Sequence, residues 1–249
     1  MSDSIGRAFM RQTRIAVQGD PPQAFGAPQP PLELPYDTTR RLVALPDPHG
    51  VQPVEPRLLD VIEHRVTVRR YTEQPLNLVE LSYLLWCTQG IKPLNMPNVT
   101  LRNVPSAGAR HPFETLLLVN RVDGLAPGLH RYVASLHSLV ALRLEEPGLV
   151  GRVMRASGGQ SQIELAAVTF VWVAVPERTT WRYGERGYRY MFLDAGHVCQ
   201  NLYLAAWSIG CGTCAIGAFD DDALNAVLEL DGESQFVIYM ATVGRRPGA

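Results

Sequence analysis

Lysine is almost absent from this chain. Of its 23 basic residues, 22 are arginine, and the single lysine is Lys92. Arginine stays protonated in proteins, so nearly every cation here is a fixed charge. Such a charge binds anions and polarises groups but does not serve as a base. Net charge is also scarce, at −1. No block of one sign occurs, which argues against a nucleic-acid footprint or a polybasic membrane anchor. The longest apolar run, Leu165–Val175, is about half of the ~20 residues that a membrane helix needs. The N-terminus has no apolar signal core, so the expectation is a cytoplasmic protein. Cysteine is sparse: Cys87, Cys199, Cys211 and Cys214. Cys211-Gly-Thr-Cys214 has the spacing of a zinc or redox pair, but no second such pair and no finger-spaced histidines accompany it. Buried free thiols are the preferred reading, with no metal.

What is present is a chain of 249 residues, 46% hydrophobic, enough for one large domain with an extension. Residues 1–55 are proline-rich and show no period, so they read as an N-terminal extension, disordered over residues 1–25. Apolar pieces such as Leu32-Glu-Leu-Pro and Leu42-Val-Ala-Leu-Pro are expected to lie on a neighbouring surface. The main domain then spans residues 56–249.

Pro56 suits the first turn of a helix to about His64. Asn77 and Glu80 form a capping box for a second helix, with Leu78, Leu81, Leu84 and Leu85 as its buried stripe and Gly90 as its stop. Strands are expected at 114–122, 128–133, 138–144, 168–175 and 236–243. Helices are expected at 149–157, at 188–208 and from an Asp220 cap to Leu230. The longest helix, 188–208, is apolar around much of its circumference. The order does not alternate strand with helix, so the fold class is α+β, with a central mixed or antiparallel sheet flanked by helices.

Two segments carry the chemistry. In Arg65-Val66-Thr67-Val68-Arg69, the side chains of Arg65, Thr67 and Arg69 emerge on one side of an extended stretch and can share one phosphate. Pro105-Ser106-Ala107-Gly108 is a small-residue loop that permits close backbone approach to a flat ring, with Arg110 and His111 following. Cys214-Ala-Ile216-Gly217 is read as a second such loop, a link between helices. There Gly217 offers its amide to a ring edge and Ile216 packs on the ring face. Arg245 and Arg246 at the end of the last strand offer a further phosphate contact. A phosphate grip with a close-approach loop meets the physical demands of FMN. Asp194, His197 and Gln200 share one side of the long helix. They lack the neighbours of a metal site and read as internal hydrogen-bonding groups.

These motifs, in this order, resemble the nitroreductase superfamily and within it the SagB-type dehydrogenases. The matching pieces are Arg65–Tyr71, Leu81–Gly90, Pro105–Glu114, Tyr188–Leu202 and Ile216-Gly217, over roughly residues 30–246. The resemblance implies a nitroreductase-like fold, an obligate homodimer, two FMN sites built from both subunits and ping-pong redox chemistry. The substrate would be a small molecule or a modified peptide. Trp181-Arg182-Tyr183-Gly184 falls where azoline-oxidising members carry a Lys-Tyr pair, so Arg182 and Tyr183 are the catalytic candidates. Arg182 cannot act as a base, and Tyr183 remains as the proton-handling group. Two alternatives stay open: an NAD(P)H-dependent nitro or quinone reductase, and an FMN-binding subunit without turnover.

Overall fold

Alternation of side chains organises the centre of the molecule. In the strand Val168–Ala174, Val168, Phe170, Trp172 and Ala174 enter one apolar cluster while Val171 and Val173 enter another, so both faces are covered. The structure is a computed structural model that describes residues 4–93 and 98–248. Its strands are β1 (Leu42–Ala44), β2 (Phe113–Val119), β3 (Gly128–Val133), β4 (Ser138–Leu144), β5 (Val168–Ala174), β6 (Cys211–Ile216) and β7 (Phe236–Arg245). Its helices are α1 (Ile5–Gln12), α2 (Leu58–His64), α3 (Leu78–Gln89), α4 (Leu149–Ala156), α5 (Gln162–Leu165), α6 (Glu177–Tyr183), α7 (Gly187–Ser208) and α8 (Asp221–Val227).

The seven strands form one sheet in the order β1-β4-β3-β2-β5-β7-β6, and all neighbouring pairs are antiparallel. Of the two expected sheet types, the antiparallel one is realised. Side chains of α3 and α7 fill one face, and those of α4 and α8 fill the other. The Asn77–Glu80 capping box forms, with both reciprocal bonds at 2.9 Å, and Gly90 follows the last residue of α3. Helix α2 starts at Leu58, two residues after Pro56, with Arg57 at its N-cap.

Three expectations are corrected. Residues 211–216 are an edge strand, not part of a loop between helices. Small residues hide it from a sequence pattern: a Cβ on Gly212 would lie 2.5 Å from Val68 Cβ, so the strand tolerates close cover by the 65–69 segment. Helix α6 was not expected, because its seven residues carry no clear period. Residues 5–25 also hold structure, namely α1 and two short 3-10 turns. They are gripped from the body, where Arg186 donates to the Thr13 carbonyl at 3.0 Å and Arg189 to the Thr13 hydroxyl at 2.6 Å.

The later part of the extension packs on the body as its apolar pieces suggest. Residues of β1 pair with β4, Val43 opposite Leu139. The Glu33 carboxylate accepts the Ala134 N–H at 2.6 Å, and Glu114 accepts the Leu34 N–H at 2.8 Å. Arg178 and Arg131 both pair with Glu114 and also donate to the carbonyls of Pro31 and Pro35, each at 2.9 Å.

Candidate functional site

The basic segment lies along the edge of β6. Val68 N–H donates to the Thr213 carbonyl at 3.0 Å, and Thr67 forms a parallel bridge with Thr213. Val68 turns inward against Gly212, so Thr67 and Arg69 turn outward and are exposed. Val66 is exposed as well. The Arg65 guanidinium lies 5.2 Å from the Tyr203 ring centre, and the Thr67 hydroxyl is 3.1 Å from the Tyr203 hydroxyl. Tyr203 in turn accepts the Ala215 N–H at 2.9 Å. This tyrosine of α7 ties the segment to β6, and the sequence reading passed it over. Its hydroxyl on the long helix was its only signal in the sequence. Neither Arg65 nor Arg69 has an acidic partner within 4.0 Å among the described residues. The Thr213 hydroxyl is buried with no partner. Free fixed cations beside hydroxyls fit an FMN phosphate.

The loop at Pro105–Arg110 is shaped by Asp194 of α7. The Ser106 hydroxyl donates to Asp194 at 2.6 Å, Ala107 N–H reaches the same carboxylate at 3.2 Å, and Ser106 Oγ accepts the His111 N–H at 2.9 Å. Burial pushes the Asp194 carboxyl above its usual range. Ser106 is thus engaged inside the loop, and the surface it leaves for a ring is the backbone of Ala107 and Gly108. Gly108 sits at φ +57°, in the left-handed region. A Cβ there would strike Tyr183 Oη and lie 3.1 Å from Arg182 Nε. The structure therefore brings Pro105–Arg110 and Arg182–Tyr183 together. Burial, with the Arg102 charge beside it, lowers His111 to about 3, so its imidazole is neutral.

Arg110 is only 4% exposed. Its guanidinium stacks 5.3 Å from the Trp181 ring centre, and its Nε–H donates to the Gly108 carbonyl at 3.3 Å. Trp181 is fixed from behind, its indole N–H donating to the Ala27 carbonyl of the extension at 2.8 Å. Tyr183 meets Tyr190 edge-on, with centroids 4.9 Å apart.

Two site residues stand differently from their reading. The Ile216 side chain is 2% exposed in the second apolar cluster with Met240, because the strand alternation of β6 turns it into the core. The side chain is turned away from that edge, which exposed Gly217 continues. Arg245 is turned to Glu80 of α3 in an ion pair and donates to the Ile209 carbonyl at 2.9 Å. It ties β7 to α3 and α7 in place of an open phosphate contact. Cys211 and Cys214 are three apart on a strand and so point to opposite faces. All four cysteines are free, and burial pushes Cys199 and Cys211 up to about 12. Among the described residues no group of three or more His, Cys, Asp or Glu is placed to hold a metal, and no helix is long and apolar enough to cross a membrane.

The two clusters, the 65–69 segment and the Pro105–Arg110 loop, are anchored at different points of α7. Asp194 and Tyr203 anchor them nine residues apart on α7, a rise of about 13 Å. Just before Asp194, α7 exposes Phe192 and Leu193, 59% and 61% exposed, with Gly196 open one turn on.

Comparison with known proteins adds the following. The family described as "Nitroreductase family" matches residues 62–245. A protein of Methanocaldococcus jannaschii named as a nitroreductase is 36% identical over 192 residues, covering 77% of this chain and 92% of that one. The trifolitoxin-processing protein TfxB of Rhizobium leguminosarum bv. trifolii is 32% identical over 132 residues, 51% of this chain and 35% of that protein. A crystal structure from Anabaena variabilis, also named as a nitroreductase, superimposes with a TM-score of 0.70 at 28% identity. It covers 84% of this chain, which spans 42% of the Anabaena chain.

Proposed function

The chain belongs to the nitroreductase family, and from that premise we propose that it is an FMN-dependent oxidoreductase, a SagB-like dehydrogenase of a peptide-derived or other biosynthetic heterocycle. One observation carries the reading. Arg65, Thr67 and Arg69 line an edge with no acidic partner among the described residues, while Gly108 presents a close-approach loop roofed by Arg182 and Tyr183. FMN would supply the two-electron chemistry. Arg65, Thr67 and Arg69 would hold its phosphate. The backbone of Pro105, Ala107, Gly108 and Gly217 would border its ring, with Arg110 as fixed positive charge nearby. Tyr183 would hold or move a proton at its hydroxyl. The peptide-derived substrate is supported by the likeness to TfxB.

The separation of the two clusters along α7 supports a homodimer in which each flavin site takes one cluster from each subunit. The exposed apolar residues Phe192 and Leu193 of α7 would then lie in the interface. Arg182 in place of lysine favours a second reading, an NAD(P)H-dependent nitro or quinone reductase, because that chemistry needs no base at this position.

The purified protein should carry one FMN per chain, and Arg65→Ala should weaken FMN by about 10- to 100-fold, the effect of one charge-assisted bond. Flavin fluorescence titration measures it. A protein that ignores added FMN rejects the proposal. Stopped-flow reduction by NADH or NADPH separates the readings: fast reduction supports the reductase, and no reduction by any donor supports a binding subunit.

A further inference from the structure

Arg110 poses an energetic problem. Its side chain is taken almost wholly out of water, yet no carboxylate lies within ion-pairing distance among the described residues. Its protein neighbours are a carbonyl oxygen, the face of Trp181 and a second guanidinium. Burial, then the Arg182 charge, lowers its pKa, so the two cations oppose each other across Gly108. A buried cation without a counter-charge destabilises a fold. Buried Arg178 and Arg131 share Glu114, and buried Arg102 donates to the Gln89 side-chain oxygen.

The surroundings are built to hold this unbalanced charge in place. Trp181 is 8% exposed, its ring lies under Arg110, and its N–H is pinned to Ala27. The short α6 turns Arg182 over Gly108 from the following position, with its guanidinium 5.8 Å from the centre of the Tyr183 ring. Two guanidiniums thus border one glycine, beside aromatic rings and next to the group that would handle a proton.

We propose that Arg110 and Arg182 form a receptor for a carboxylate of the substrate, so that the protein acts on acidic molecules. The proposal rests on the flavin site described above. A planar carboxylate accepts two parallel N–H bonds from a guanidinium fork and suits a receptor one side of which is stacked flat on an indole. A phosphate has its own receptor at Arg65, Thr67 and Arg69. Arg182 thereby gains a role that its chemistry permits: it orients the substrate, where a lysine would deprotonate it.

The test uses full-length FMN-loaded protein, with benzoate as the anionic probe, benzamide as its uncharged isostere and inorganic phosphate as a second anion. Calorimetry reads binding without turnover. Benzoate should bind at least about tenfold more tightly than benzamide, and Arg182→Gln should erase most of that ratio while Arg182→Lys keeps part of it. Phosphate should bind more weakly than benzoate. With 4-nitrobenzoate and 4-nitrobenzamide as reducible probes, the same preference should appear in KM. Benzoate binding no better than benzamide, or unchanged in both Arg182→Gln and Arg110→Gln, overturns the proposal, as does tighter binding of phosphate. The flavin spectrum of each sample reports separately on the FMN site, so failure of the one is not mistaken for failure of the other.

Discussion

At the scale of single residues, the pair Arg182–Tyr183 sets what chemistry the site can perform. Azoline oxidation removes a ring-carbon proton. A lysine desolvated beside a flavin can lose its own proton near neutral pH, whereas arginine stays charged. General-base catalysis contributes ~10²–10⁴ in rate, so wild type should oxidise a thiazoline peptide slowly and Arg182→Lys should be faster. Single-turnover flavin bleaching measures both, with Tyr183→Phe as the further comparison. Fast wild-type bleaching that Arg182→Lys fails to improve places the base elsewhere. His111 gives a second prediction, on stability. Its pKa is lowered from the usual 6.5 to about 3 by burial. As pH falls from 6.5 toward 3, the unfolded chain binds a proton that the folded chain refuses, so stability is lost across that window. The contribution is at most ~1.4 kcal/mol per pH unit. His111 sits at φ +43°, a conformation asparagine tolerates. His111→Asn should therefore fold, and its urea midpoint should fall less steeply with acid than that of wild type. Equal slopes in the two proteins would remove His111 from the acid response.

At the scale of elements, the contact between the 65–69 segment and β6 couples flavin binding to the sheet edge. Gly212 allows that contact, since any Cβ there meets Val68. Gly212→Ala should push the segment outward, costing about 1–3 kcal/mol of stability through overpacking. FMN affinity should fall with it, because Arg65 and Thr67 move together with Val68. Thermal unfolding of apo and FMN-loaded protein separates the two effects, and an unchanged apo Tm would show that the edge yields freely. This contact also marks where the sequence stopped being legible. Helices with caps and apolar periods, α3 above all, could be read directly, as could the continuous apolar run of β5. The edge strand β6 could not, because Gly212, Thr213 and Ala215 have small side chains whose partners lie far away in sequence. The same holds for Arg245, which looks like an open cation in sequence and is held by Glu80, 165 positions away.

At the scale of the whole molecule, Phe192 and Leu193 of α7 together with Leu58, Leu59 and Ile62 of α2 leave large apolar side chains uncovered on one chain. Such a surface belongs in an interface. The dimer proposed above should therefore dissociate in Leu193→Glu, which buries an unpaired charge, and flavin content should fall in parallel if each site draws on both subunits. Sedimentation velocity at micromolar concentration measures the first effect and absorbance the second. Retained FMN in a monomeric variant would place the whole site within one chain. The charge pattern of the molecule could be read from the sequence, since scarce lysine already implied fixed cations. Which arginines stay without acidic partners is a three-dimensional property, and only the fold separates Arg65 and Arg110 from Arg178.

Four of the contacts that hold the N-terminal extension fall on its main chain. Side chains of the body reach the carbonyls of Thr13, Ala27, Pro31 and Pro35, and proline supplies a carbonyl as well as any other residue does. A carbonyl is common to all twenty amino acids, so this grip reads the path of the extension and is indifferent to most of its side chains. At Ala27, Pro31 and Pro35 the extension is therefore free to change its spelling over evolutionary time while keeping its course, whereas Glu33, whose side chain makes the contact, and the grasping Trp181, Arg178 and Arg131 are not. Homologues should diverge freely at those three positions and hold constant in the residues that grasp them.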